Sequence, residues 1–267
     1  MTSPSLTLIV STYNNPRALD RVLGSVAAGT RMPDELVVCD DGSGPETRAL
    51  IEQWTGRASF PVIHAWQEDK GFRKGRALNL SLARSKSDYV VLLDGDCIPG
   101  RRFVEDHVRL AEPGYFVQGR RAFIAEQAVP DFLDGKTGLV SLALRGQLGG
   151  LFKAIRWPRP VIKVNCEMRG IIGCNLGIWR RDFEEINGFD ESYEGWGIGD
   201  DSDVGARLYH KGLQRKFVYG RALVYHLNHP CLSREHVETN AGKLQQTIDS
   251  GKIRCDRGLS QHTDSHV

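Results

Sequence analysis

The feature that most constrains this chain is the stretch from Ser87 to Ile98, an apolar run, Tyr89-Val90-Val91-Leu92-Leu93, halted by Asp94-Gly95-Asp96. So short a run, rich in Val and Leu and without polar alternation, predicts a central strand covered on both faces. In an open α/β sheet, ligands bind beyond the carboxyl ends of the strands, so Asp94 and Asp96 are delivered to the rim where a substrate can reach them. Gly95 lets backbone approach closely there. Carboxylates at i and i+2 on extended chain point to one side, so both can approach one cation, or one can ligate while the other orients a sugar hydroxyl. An isolated Asp-x-Asp reads more simply as a turn with solvated acids. The surrounding chain is what changes that reading.

The run Leu6 to Thr12 predicts a strand that breaks at Tyr13-Asn14-Asn15-Pro16, a cluster suited to capping a helix from Arg17 to Ala28. A second strand, Glu35 to Cys39, ends on Asp40-Asp41-Gly42-Ser43. Strand, helix, strand in this order is a βαβ unit with a parallel sheet and a right-handed crossover. A helix from Pro45 through Trp54 and the run Val62 to Trp66 repeat the unit. A basic, glycine-punctuated loop, Gln67 to Arg76, then leads to a helix through Ala83. Three polar clusters, Thr12-Tyr13, Asp40-Asp41 and Asp94-Gly95-Asp96, therefore end neighbouring strands and should meet in one crevice. Tyr13 offers a stacking face, a carboxylate can accept from the N3–H of uracil, and a metal-ligating pair can hold a diphosphate. Neither a GxGxxG fingerprint nor a GxxxxGK[ST] loop is present at these turns.

At 267 residues and 40% hydrophobic, the chain can bury a large core as one unit. Its 35 basic and 33 acidic residues argue against a dedicated nucleic-acid partner. No apolar stretch approaches about 20 residues, and no basic-then-apolar leader precedes Leu6, so the expected location is the cytoplasm. Six scattered cysteines without CxxC spacing read as buried or incidental thiols. Gly138 to Trp157, with Arg145, Lys153, Arg156 and neighbouring Arg159, reads as helical or as a mobile loop, and first as a solvated amphipathic helix on the sheet. The alternative is a basic collar for an anionic or membrane-borne acceptor, which would put the protein at the inner face of a membrane.

Further on, Tyr193-Glu194-Gly195-Trp196-Gly197-Ile198-Gly199-Asp200-Asp201-Ser202-Asp203 joins glycines, an indole and three carboxylates. Sugars stack apolar faces on indole and give hydroxyls to carboxylates, so this is a competent carbohydrate subsite. Its plainer reading is an acid-decorated helix start with Trp196 packed. Val224-Tyr225-His226-Leu227-Asn228-His229-Pro230 reads as a strand running into two histidines, after which a peripheral helix, Glu235 to Ile248, and a disordered end after Cys255 are expected.

Val10-Ser11-Thr12-Tyr13-Asn14, Val38-Cys39-Asp40-Asp41-Gly42-Ser43 and Leu93-Asp94-Gly95-Asp96, at these intervals, resemble family-2 glycosyltransferases of the GT-A fold. The loop Gln67 to Arg73 with Ala77-Leu78-Asn79 resembles the segment that reaches the nucleotide in bacterial polysaccharide and lipopolysaccharide transferases. The Gly-Trp-Gly cluster resembles the GWG-x-ED-x-D segment shared with galactosyltransferase-like C-terminal regions. Here one extra residue precedes the acid pair, and Asp200 replaces the family's Glu. The resemblance implies an α/β GT-A fold with a mainly parallel sheet over residues 1–230, a nucleotide-sugar half (1–98) and an acceptor half (99–230). It implies donor contacts from Thr12, Tyr13, Asp40, Asp41, Lys70, Arg73, Asn79, Asp94 and Gly95. Metal ligation falls to Asp96 and His226, with Asp94 on the ribose or the metal. Asp201 takes the base position and Asp200 and Trp196 bind acceptor; a one-residue change of register would exchange the two acids. The implied activity is inverting transfer from a UDP-sugar to a glycan or glycolipid hydroxyl with Mn²⁺, or Mg²⁺. The rivals are a nucleotidyltransferase, for which Val10 to Asn15 lacks a basic triphosphate loop, and a non-catalytic binding module.

Overall fold

A computed structural model describes residues 3–168, 170–195, 197, 199–230 and 235–263. The chain begins β1 (Leu6–Thr12), α1 (Pro16–Ala27), β2 (Glu35–Asp40), α2 (Pro45–Arg57), β3 (Val62–Trp66), α3 (Lys74–Arg84), β4 (Tyr89–Asp94). Asn15 starts α1 by accepting from the Ala18 N–H, with Pro16 in the first turn. β3, β2, β1 and β4 lie side by side and parallel, with Ser11 opposite Asp94 and Thr12 opposite Asp40. The polar strand ends are thereby brought to one edge.

Alternation along the buried strands sorts side chains onto two covered faces. Leu8 and Val10 of β1 and Val91 and Leu93 of β4 pack with Leu19, Val22 and Leu23 of α1. Ile9, Val90 and Leu92 face the other way, onto Ala77, Leu78 and Leu82 of α3 and the aromatic pair Phe183 and Phe189. The uninterrupted run before Asp94 is therefore a strand with helices on both sides.

After Asp94 the chain turns and changes sheet. β5 (Cys97–Pro99), α4 (Phe103–Leu110), β6 (Tyr115–Gln118) and β7 (Arg121–Ile124) follow, then a 3₁₀ turn, α5 (Val129–Leu133), α6 (Leu139–Leu144), β8 (Leu148–Gly149) and α7 (Leu151–Ala154). The chain continues with β9 (Val161–Asn165), β10 (Asn175–Trp179), α8 (Arg180–Ile186), α9 (Asp200–His210), β11 (Gln214–Tyr219) and β12 (Val224–Leu227), and ends on α10 (Val237–Ser250) and α11 (Ser260–Thr263) among the described residues. The main sheet runs β3-β2-β1-β4-β10-β6-β11-β9, and a smaller sheet runs β5-β12-β7-β8. β10 is antiparallel to both β4 and β6, so the sheet is parallel through the first half and mixed beyond it. In the small sheet His226 of β12 pairs with Cys97 of β5, which sets that histidine one residue from Asp96.

Three expectations are corrected. Gly138 to Trp157 is not one helix packed on the sheet: α6 and α7 are short and separated by β8, and leave Val140, Leu144, Leu151, Phe152 and Ile155 exposed. β9 and β11 have no counterpart in the sequence reading, because β9 is an exposed edge strand and β11 opens with polar Gln214-Arg215-Lys216. The described part of the segment after Cys255, residues 256–263, is packed on the rest of the chain rather than disordered. Asn187 donates to the Cys255 carbonyl and accepts from the Ser260 N–H, and His262 meets Glu191 at 2.6 Å. These contacts, rather than an apolar pattern, hold it.

Candidate active site

The turn Asp94-Gly95-Asp96 is shaped by close backbone approach. Gly95 N–H donates to the Ser11 carbonyl at 2.7 Å, and a Cβ at residue 95 would lie 2.6 Å from that oxygen. Only glycine fits, and the two carboxylates are thrown to different neighbours. Asp94 accepts from the Lys74 ammonium at 2.6 Å and from the Ser11 hydroxyl at 2.9 Å. Asp96 faces the small sheet, where the ring nitrogens of His226 and His229 lie 3.5 and 3.2 Å from its Oδ2.

Asp96, His226 and His229 offer three ligand atoms that all lie within 4.8 Å of one another. Among the described residues the buried Asp96 Oδ1 has no hydrogen-bond partner, and a cation would satisfy it. Burial opposes ionisation of Asp96, but the hydrogen bonds from His226 and His229 outweigh it and hold the carboxyl well below its ordinary range. The same contact pushes His229 up to about 9. One carboxylate with two imidazoles suits a first-row divalent ion such as Mn²⁺ better than Mg²⁺, which prefers oxygen throughout. The residues fit a metal.

A cleft of about 830 Å³ runs from this cluster across the strand ends. Thr12, Tyr13, Asp41, Lys74, Asp94, Gly95 and Asp96 line it, together with Gly173, Asp200, Asp201, His226 and His229. The convergence expected of the three polar strand ends is met, with Asp41 rather than Asp40 facing the cleft. Asp41 is held by Gln67 at 2.5 Å and by the Arg73 N–H at 2.8 Å. Tyr13 is 53% exposed, its ring free to be covered, and its hydroxyl donates to Asp69.

Asp201 lies in the first turn of α9 behind Gly199. Its Oδ2 accepts from the Gly173 N–H at 2.6 Å, while the buried Oδ1 has no partner among the described residues. A Cβ on residue 173 would sit 2.4 Å from Oδ1, so glycine is again what admits the approach. Burial first, then the neighbouring Asp200 charge, pushes the Asp201 carboxyl up to about 7, with Lys74 opposing. A carboxylate of that basicity is matched to taking a proton near neutral pH. Lys74 stays cationic: burial works against its charge, but Asp94, Asp201 and Asp200 together raise it well above the usual lysine range.

Several residues expected at the donor are placed elsewhere. Asp40 is fully buried, paired with His64 at 2.8 Å and accepting from Ser43 N–H, so it shapes the turn that presents Asp41. Asn79 is fully buried and clasps the Phe189 backbone through both N–H and C=O of its amide. Lys70 pairs with Glu68 at the surface, and the Arg73 guanidinium donates to the Glu68 carbonyl. Asp94 sides with Lys74, and His229 takes the place expected for it beside Asp96 and His226. Trp196 lies outside the described residues. The sequence reading missed Lys74 and His229, although a basic residue at the start of α3 and the His-Leu-Asn-His spacing were both visible signals.

If Asp201 is the proton acceptor, kcat/KM rises with pH through about 7 and levels above it, because only the ionised carboxylate can act. The sign for stability is opposite. The native value lies above the ordinary 3.8, so this group's stabilising proton is fully bound below about 4 and lost as pH climbs through about 7. A pH–rate profile in which Asp201→Asn keeps the same limb would contradict the assignment.

An α/β sheet with the acid-glycine-acid turn at its rim and a smaller second sheet beside that turn is a GT-A glycosyltransferase architecture. The sequence pattern of the glycosyl transferase family 2 matches residues 7–186, and that of the N-terminal domain of galactosyltransferase matches residues 159–230. The chain belongs to glycosyl transferase family 2. A hyaluronan synthase from Pasteurella multocida is 28% identical across 98% of this chain, which spans only 28% of that relative. Among solved structures, S. aureus TarS 1–349 in complex with UDP superposes with a TM-score of 0.63 at 15% identity, covering 97% of this chain and 68% of that one. The mannosyltransferase PcManGT from Pyrobaculum calidifontis, in complex with GDP-Man and Mn²⁺, gives a TM-score of 0.59 at 19% identity over 99% and 68%. At these identities the structures show the shared fold.

Proposed function

We propose that the protein is a metal-dependent inverting glycosyltransferase that moves a sugar from a UDP-sugar to a hydroxyl of a glycan or glycolipid acceptor. The observation that carries this is one cleft lined by a carboxylate of raised basicity, Asp201, and by the Asp96, His226 and His229 cluster. A divalent cation held by Asp96, His226 and His229 would neutralise charge on the departing diphosphate. Asp201 takes the acceptor hydroxyl proton as that oxygen attacks the anomeric carbon and the bond to the diphosphate breaks. A single displacement inverts the configuration. Lys74, fixed by Asp94, adds positive charge to the same rim, and Asp200 braces the base by accepting from the Asp201 N–H at 2.9 Å. Asp200 and Trp196 are assigned to the acceptor.

The donor base is read as uracil from Tyr13 and Asp41, a reading consistent with UDP in the TarS complex. UDP with Mn²⁺ should then raise the thermal midpoint, while GDP and dTDP at equal concentration should not. The PcManGT complex holds GDP-Man, so protection by GDP alone is the outcome that would overturn the base assignment.

Among the described residues no helix is long and apolar enough to cross a membrane. The acceptor half nevertheless carries a patch suited to an anionic lipid surface. Leu144 and Phe152 are 85% and 51% exposed, and six Lys and Arg with no acid fall between Asp134 and Glu167. We place the working enzyme at the cytoplasmic face of a membrane on this basis. Co-sedimentation with vesicles containing anionic lipid should exceed that with neutral vesicles and fall in Leu144→Asp/Phe152→Asp; indifference to lipid charge would refute it.

A further inference from the structure

The turn that supplies Asp96 to one cluster supplies Asp94 to another. Cys97 opens β5 directly after the turn, and Cys174 immediately precedes Asn175, which pairs with Leu93 at the end of β4. The two sheets thus carry two thiols to the same strand end. Both are free and almost fully buried. Their sulfurs and an Asp94 carboxylate oxygen all lie within 4.8 Å of one another.

We infer that Cys97, Cys174 and Asp94 form a second cation site, selective for a thiophilic divalent ion such as Zn²⁺ and distinct from the Asp96, His226 and His229 cluster. Tetrahedral zinc with bonds of about 2.3 Å to sulfur has ligand-to-ligand edges of about 3.8 Å, so the three atoms need contract by only about 1 Å. The hydrogen bonds Asp94 takes from Ser11 and Lys74 both fall on Oδ1, and its carboxylate has a second oxygen for a cation. Arg121 Nη1 lies 3.5 Å from Cys174 Sγ and fixes the orientation of that thiol. Cys174 and Asp94 line the cleft, which gives an ion a route from solvent. On binding, the thiols form two metal–sulfur bonds and their protons pass to solvent.

The two clusters differ in softness. Imidazole and carboxylate accommodate Mn²⁺, whereas a thiolate pair selects zinc or cadmium over it. Because only Gly95 separates Asp94 from Asp96, a soft ion on the thiols sits beside the donor end of the cleft and adds charge where Lys74 already lies. Binding at this site does not depend on the sugar-transfer reading.

Co²⁺ titration of the full chain reads the site directly, since thiolate ligation gives a near-ultraviolet sulfur-to-cobalt charge-transfer band that imidazole and carboxylate ligands do not. The band should form in the native protein, disappear on adding Zn²⁺, persist in Asp96→Asn and vanish in Cys174→Ser and Cys97→Ser. Zinc affinity in either cysteine variant should fall on the order of 10²-fold. Cys97 is fully buried, so if Cys97→Ser loses cooperative thermal unfolding, Cys174→Ser decides alone. No band in the native protein overturns the proposal, as does a band that survives Cys174→Ser, which would belong to another thiol such as the exposed Cys166.

Discussion

Replacing Asp201 by asparagine is expected to lower turnover on the order of 10²–10⁴-fold while leaving donor binding intact, the loss typical of a removed general base. The substitution keeps size and can keep a hydrogen bond from Gly173, but it cannot take a proton. Its neighbour provides the contrast. Asp200 also lines the cleft and burial pushes its carboxyl above the ordinary range too, yet one of its oxygens is committed to the Asp201 N–H. Asp200→Asn should therefore raise acceptor KM more than it lowers kcat, a split that steady-state kinetics resolves. If Asp200→Asn is the dead enzyme and Asp201→Asn keeps near-normal turnover, the two roles are exchanged. If neither matters, the cleft has no carboxylate base.

The second large effect is expected at the cation cluster. Asp96→Ala and His226→Ala should each abolish metal-stimulated turnover with the fold intact, since these side chains sit at a rim rather than in the apolar core. Removing a direct ligand should weaken Mn²⁺ binding by at least about 10–100-fold, the cost of losing even an outer-shell partner. His229→Ala should behave as they do. Asp94→Asn should not weaken Mn²⁺ in that way, because Asp94 is bonded to Lys74 and Ser11. Direct Mn²⁺ titration separates these outcomes, and an Asp94 variant that loses Mn²⁺ while His229→Ala retains it would restore the ligand set expected from the sequence.

The first four strands and their helices were legible because each is an apolar segment ended by a turn cluster, and βαβ connectivity leaves few ways to arrange them. The same logic located the cleft, since parallel strands end together and Thr12, Asp41 and Asp94 had to meet. Which side chains enter it was less legible. Asp40 and Asp41 are adjacent acids in sequence, and only strand pleat and the turn at Ser43 decide that one braces and the other lines the cleft. The resemblance of Ala77-Leu78-Asn79 to a nucleotide-reaching segment implies a donor contact at Asn79, yet its side chain clasps Phe189 across 110 positions of chain. His229 is visible in the His-Leu-Asn-His spacing, but its place beside Asp96 depends on the chain just beyond β12, which the spacing alone does not give. β11 escaped because it opens on polar Gln214-Arg215-Lys216, whereas β9, Val161-Ile162-Lys163-Val164, carries a β-branched signal that the reading passed over.

Release of UDP from a panel of UDP-sugars, assayed with chelator and then with Mn²⁺ restored, tests the central claim most directly. Metal-dependent turnover of at least one UDP-sugar, accelerated by a hydroxyl acceptor and lost in Asp201→Asn, is the expected result. Protection of the protein by UDP and Mn²⁺ without turnover of any donor or acceptor would instead mark a binding module, and turnover unchanged by chelator would remove the metal from the mechanism.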